Sequence, residues 1–127
     1  MNRPINAGVA TRIGSYSDAV EIPAGKRLLF VSGTPGLDPA SGQLPEGFAA
    51  QVELAWNNVH AILAAAGMGL EDIVKLTQTL VRREDLAVYR DIRTRNLGTH
   101  RPASMLVFVP ELVWPNMLIE LEVVAAK

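Results

Sequence analysis

Two short runs, Leu28-Leu29-Phe30-Val31 and Met105-Leu106-Val107-Phe108-Val109, are apolar at every position. A strand with one face in a core alternates apolar and polar side chains, because successive residues point to opposite sides. An unbroken apolar run therefore asks for cover on both faces. Only two segments of the chain carry the three- and four-residue apolar spacing of a helix, and two helices cover one face of a sheet. Burying one such side chain is worth roughly 1.5–3 kcal/mol, so a row of them standing in water is strongly disfavoured. The second face is expected to pack against further copies of the chain. A β-hairpin or loop folded over it is the alternative.

The remaining elements follow from periodicity and turn signals. Residues 14–22 alternate weakly and end at Pro23-Ala24-Gly25, which predicts a first strand paired in a hairpin with a second at 27–32. Residues 33–45, rich in Gly, Pro, Asp and Ser, predict a long ordered loop. Phe48, Val52, Ala55, Val59, Ile62 and Leu63 mark a helix over 47–66, stopped by Gly67. Residues 73–82 predict a strand with Val74, Leu76 and Leu80 set against Lys75, Thr77 and Thr79. A second helix spans 85–97, with Leu86, Tyr89 and Ile92 as its buried stripe, and two strands at 105–109 and 117–125 close the chain. The order is ββαβαββ: an α+β fold, one domain over residues 1–127, with a mixed sheet and two helices on one face.

Composition narrows the function. A net charge of −1 and no basic stripe argue against nucleic acid, whose binding needs clustered Lys and Arg. Arg90, Arg93 and Arg95, interrupted by Asp91, read as a solvated helix face. The chain has no cysteine, which excludes disulfides and thiolate chemistry and fits a reducing compartment. No signal pattern and no membrane-length apolar run are present, so a cytoplasmic location without a membrane partner is expected. His60, near the apolar stripe of the first helix, reads as a partly buried structural residue, His100 lacks a partner at metal-ligand spacing, and no metal site is predicted. Ser32-Gly33-Thr34-Pro35-Gly36 contains glycine but lacks a phosphate-loop pattern.

The last strand holds the most informative side chains. Ile119, Leu121 and Val123 alternate with Glu120 and Glu122. With the apolar set toward the helices, both carboxylates point at the face expected to meet a neighbouring copy. A carboxylate there is costly unless paired, hydrogen-bonded or wet, and a raised pKa at such a place would suit a general acid or base. The plain alternative is two exposed glutamates on an edge strand.

Several motifs in order give the chain its resemblance to a known family. Gly14-Ser15-Tyr16-Ser17-Asp18-Ala19-Val20, Leu29-Phe30-Val31-Ser32-Gly33, Asp38-Pro39 with Gly42, Gln51, Asn58 and Gly67, Asp72-Ile73-Val74-Lys75, Arg101-Pro102-Ala103 and Ile119-Glu120-Leu121-Glu122 stand at matching spacing. Together they resemble the RidA/YjgF family, also known as L-PSP endoribonuclease-like proteins. The resemblance implies a chorismate-mutase-like fold, a homotrimer with clefts between subunits, and a small-molecule substrate. It also implies hydrolysis of enamines or imines to keto acids and ammonia without cofactor or metal. In such a site Glu120 handles the attacking water, while Tyr16, Ser32 and Gly33 line the cleft.

One position departs from that pattern. The deaminase motif carries a substrate-gripping arginine two residues after the proline, and here Pro102-Ala103 is followed by Ser104. A charge-assisted hydrogen bond contributes roughly 1.5–3 kcal/mol, which serine does not replace. Arg90 stands where some members carry asparagine, and Leu106 where a small residue is common. Two readings follow. Either Arg90 or Arg101 reaches the cleft and holds an acidic substrate, or the pocket takes a neutral or differently shaped ligand, with Phe108 and Trp114 making it more apolar. A non-catalytic trimer that binds a small metabolite is the rival from another class. Ribonuclease activity, suggested by the older family label, fits the charge poorly and lacks a histidine pair.

Overall fold

Alternation in the final strand decides which way the sheet faces. In a computed structural model, which describes all 127 residues, the chain runs β1 (Arg3–Ile5), β2 (Ala19–Glu21), β3 (Leu28–Pro35), α1 (Phe48–Ala65), β4 (Ile73–Leu80), α2 (Leu86–Leu97), β5 (Ala103–Phe108) and β6 (Ile119–Ala126). The main sheet has four strands in the order β3-β6-β4-β5. Strands β4 and β5 are parallel, as a crossover through α2 requires, and the other pairs are antiparallel. The α+β class and the mixed sheet with two helices are as the sequence predicts.

Leu121 and Val123 of β6, with Leu76 and Leu80 of β4, point to one side and are buried. Val52, Trp56, Val59 and Leu63 from α1 meet them, with Tyr89 and Ile92 from α2. Both helices therefore sit on the same face. Helix α1 ends where Gly67 takes a φ of 71°, and α2 ends where Gly98 takes 57°, conformations that glycine adopts without steric cost.

The opposite face is left largely open by its own chain. Leu28, Phe30 and Met105 are 52%, 74% and 55% exposed. Register sets Phe30 opposite Val124, and Thr77 opposite both Glu122 and Met105. No hairpin or loop folds over this surface. The side chains that made β3 and β5 read as doubly apolar are the ones left in water.

The N-terminal region differs from the expected hairpin. Of residues 14–22, only Ala19–Glu21 is a strand, and it pairs with Arg3–Ile5 rather than with β3. The reason is local hydrogen bonding. The Asp18 carboxylate accepts from the amides of Ala7, Gly8, Val9 and Ala10, folding the N-terminus back on itself. These bonds also hold its pKa below the ordinary aspartate value. The Ser17 hydroxyl donates to the Arg101 carbonyl at 2.6 Å and its amide to Pro102, fastening residues 14–18 beside β5. Strand β3 also runs on through Pro35, past a bulge between Val31 and Thr34, so the loop begins later than its composition suggests.

Candidate functional site

A cavity of about 380 Å³ lies where the edge strand β5 meets α2. Ser104, Leu106 and Phe108 enter it from β5, Leu86, Tyr89, Arg90 and Arg93 from α2, and Tyr16 from the tethered loop. Pleating places Ser104, Leu106 and Phe108 on the helix side of the sheet, because their neighbour Gln78 in β4 is buried toward α2. Phe108 is fixed further by the Arg83 guanidinium, 4.7 Å from its ring centroid.

Ser104 is locked by a buried polar chain. The Tyr89 hydroxyl donates to Gln78 Oε1 at 2.7 Å. That bond fixes the amide, whose Nε2 donates to Ser104 Oγ at 2.8 Å and to the Met105 carbonyl at 2.9 Å. Burial pushes the Tyr89 phenol far above its ordinary pKa, so it remains a neutral donor. The sequence carried a signal for this chain: Gln78 interrupts the apolar row Val74-Leu76-Leu80, and Tyr89 lies in the apolar stripe of α2. A polar group on a buried row needs a partner.

Arg90 reaches the cavity, as one reading of the sequence expects. Arg101 does not. Its guanidinium caps the end of α2 by donating to the carbonyls of Gly98 and His100. Arg93, read from the sequence as part of a solvated face, is half-buried and lines the cavity. Its spacing of four from Tyr89 would have placed it on the buried side.

A second group forms on the opposite face of the sheet. Glu120 lies against Gly33: a Cβ there would stand 2.8 Å from the carboxyl carbon, so a side chain at this position would have to displace the carboxylate. Ser32 and Gly33 are exposed beside it at the β3 bulge. Desolvation raises the Glu120 pKa above the usual carboxylate range, with repulsion from Glu122 adding to it. The half-burial and the proximity to Gly33 distinguish Glu120 from Glu122, which is exposed.

The two groups cannot meet within one protomer. Glu120 pairs through Thr79 with Val107, while Ser104 and Leu106 point the other way with Gln78. Trp114, on the β5–β6 loop, is 45% exposed and does not line the cavity. A larger groove of about 970 Å³ runs beneath the N-terminal ribbon and includes Arg101 and His100, but touches neither Ser104 nor Glu120. His100 Nε2 lies 2.7 Å from the Ile73 carbonyl, a structural tether. Nowhere do three or more His, Asp or Glu side chains gather at metal-binding distance.

Gln51 and Asn58, part of the motif series, hold the frame. Gln51 accepts from the Leu118 amide and donates to the Asn116 carbonyl, while Asn58 donates to the carbonyls of Pro35 and Leu37. They position the ends of β6 and β3, and with them Glu120 and Gly33.

Comparison with known proteins agrees with this architecture. Residues 8–127 match the family model described as Endoribonuclease L-PSP. A RutC family protein from Aquifex aeolicus is 39% identical over 119 residues, covering 91% of this chain and 90% of that protein. The 2-iminobutanoate/2-iminopropanoate deaminase of Bos taurus is 34% identical over 116 residues, covering 91% and 82%. Among solved structures, a Rid-family protein of unknown function from Yersinia pestis superposes with a TM-score of 0.86 at 27% identity, covering 99% and 98% of the two chains. With matching motifs, matching topology and relatives along nearly its whole length, the chain belongs to the RidA/YjgF family.

Proposed function

We propose that this protein hydrolyses the C–N bond of a small enamine or imine and releases ammonia. The cleft for this reaction forms where two copies of the chain meet in a homotrimer. One observation carries the reading: a carboxylate of raised pKa and a donor-lined cavity lie on opposite faces of one sheet, beside an uncovered apolar surface. Packing that surface against a second copy would bury Leu28, Phe30 and Met105 at roughly 1.5–3 kcal/mol each. The same contact would bring Glu120 of one copy toward the cavity of another. The deaminase names of relatives at 34% identity support the reaction class.

In that cleft Glu120 takes a proton from water as its oxygen adds to the imine carbon. An enamine first becomes the imine by gaining a proton at carbon and losing one from nitrogen. After water adds, the nitrogen takes up the proton held by Glu120. As the C–N bond breaks, the carbinolamine hydroxyl gives up its proton to the departing nitrogen, leaving a carbonyl compound and ammonia. Amides around Ser32 and Gly33 orient the reacting group without reorganising. The test is ammonia release from a panel of enamines generated in situ, 2-aminoacrylate included, with wild type and Glu120→Gln. Release by wild type alone is expected. Equal release by both proteins would remove Glu120 from the chemistry, and none from any substrate would favour a metabolite-binding trimer.

A further inference from the structure

We infer that the anion-recognising group of this chain lies on helix α2, at Arg93, with the Ser104 hydroxyl as its partner, and that the cavity takes a carboxylate bearing an apolar substituent. This rests on the reading of the cavity as the substrate half of the cleft and names the substrate class for it.

Arg93 is an arginine without an acid. Its only hydrogen bond runs from Nη2 to the Ser15 carbonyl at 3.3 Å, and its Nε is buried with no acceptor. Guanidinium presents five donors, so most of its capacity is unused. The Tyr89 and Tyr16 hydroxyls favour its charged form, while the two neighbouring cations, Arg101 and Arg90, oppose it, and no carboxylate contributes. The three ion pairs in the chain, Arg3–Glu21, Arg82–Asp85 and Arg95–Glu53, involve none of these arginines. Burying part of a guanidinium beside like charges is unfavourable unless an anion joins it. Burial also lowers its pKa, consistent with a site lacking its counter-charge.

The rest of the wall is complementary to an anion. No carboxylate lines the cavity. Ser104 Oγ already accepts from Gln78, so its own proton is directed toward an acceptor elsewhere. Tyr89 and Gln78 therefore act as positioning residues: they make the serine a donor. Leu86, Leu106 and Phe108 line the same cavity, a surface for a hydrocarbon tail. The cation absent from β5 is thus supplied from the neighbouring helix, and the apolar wall does not imply a neutral ligand.

The experiment measures binding rather than turnover. Calorimetric titration with 4-methyl-2-oxopentanoate is compared with its uncharged amide, on wild type, Arg93→Gln and Arg93→Lys. Wild type should prefer the carboxylate by about 10- to 100-fold, the span of a charge-assisted contact. Arg93→Gln should abolish that preference while leaving amide binding within about twofold, and Arg93→Lys should keep part of it because the charge remains without the fork. Placing Ser104→Arg on the Arg93→Gln background should restore preference for the carboxylate. Wild type binding the two compounds equally would overturn the inference without any variant. So would a carboxylate preference that survives Arg93→Gln. If the carboxylate is bound as described but no enamine is hydrolysed, the anion site stands and the reaction proposed above falls.

Discussion

The two faces of the four-stranded sheet come from the same strands and have opposite characters. On the helix side, Leu76, Leu80, Ile119 and Leu121 are fully buried and even the polar Gln78 is hydrogen-bonded. On the other side, Phe30 and Met105 stand in water beside Glu120 and Glu122. One face is finished within the protomer; the other has apolar side chains without partners and a carboxylate without a hydrogen bond. The helix face therefore governs whether the chain folds. The open face is the one through which the proposed assembly and chemistry would act.

Substitutions on the two faces should separate these roles. The largest effect is expected from Glu120→Gln, which should reduce ammonia release by about 10²- to 10⁴-fold, the usual range for a general acid–base group. Its melting temperature should stay close to that of wild type. Leu121→Ala, one residue away and facing the helices, should do the reverse in equilibrium unfolding: a loss of about 2–5 kcal/mol. Phe30→Asp should leave the protomer's helix content intact by circular dichroism but lower the mass seen in sedimentation, since a charge replaces about 1.5–3 kcal/mol of burial per contact. A milder change is expected from Gly33→Ala, whose methyl must push the Glu120 carboxylate aside. A displacement of that kind should cost about tenfold in turnover with little change in KM.

The smallest effect is a matter of pH. Glu120 has a raised pKa in the folded state, so the native protein holds this proton more tightly than the unfolded chain does. Its ionisation therefore subtracts stability as pH rises through the carboxylate range. Glu120→Gln should accordingly melt slightly above wild type at neutral pH. That advantage should disappear once the pH falls below the usual carboxylate range, and a scan of melting temperature against pH reads it directly.

Much of this was legible in the residues. The α1 periodicity and the β6 alternation follow from side chains that one chain buries by itself, and both elements lie where the spacing puts them. Doubly apolar runs foretold the uncovered face, because hydrophobicity is a property of the strand alone. The N-terminal ribbon was not legible. Its first strand is three residues long, includes Pro4, and is held by Asp18 reaching back to amides more than seven residues away. Arg93 and Arg101 show the same limit. Which arginine is half-buried depends on the Ser15 loop and the end of α2, contacts that no local period records. Trp114 resembles a pocket wall by composition, yet it is exposed and does not line the cavity beside α2.

Mixing two inactive variants tests the shared cleft most directly. Glu120→Gln keeps the cavity and loses the carboxylate; Ser104→Trp fills the cavity and keeps the carboxylate. Each assembled alone should release no ammonia. Denatured together in equal amounts and reassembled, they should recover activity in about a quarter of the clefts, those pairing an intact cavity with an intact Glu120 from a neighbour. Mixed oligomers that form in good yield yet remain inactive would contradict a site shared between copies.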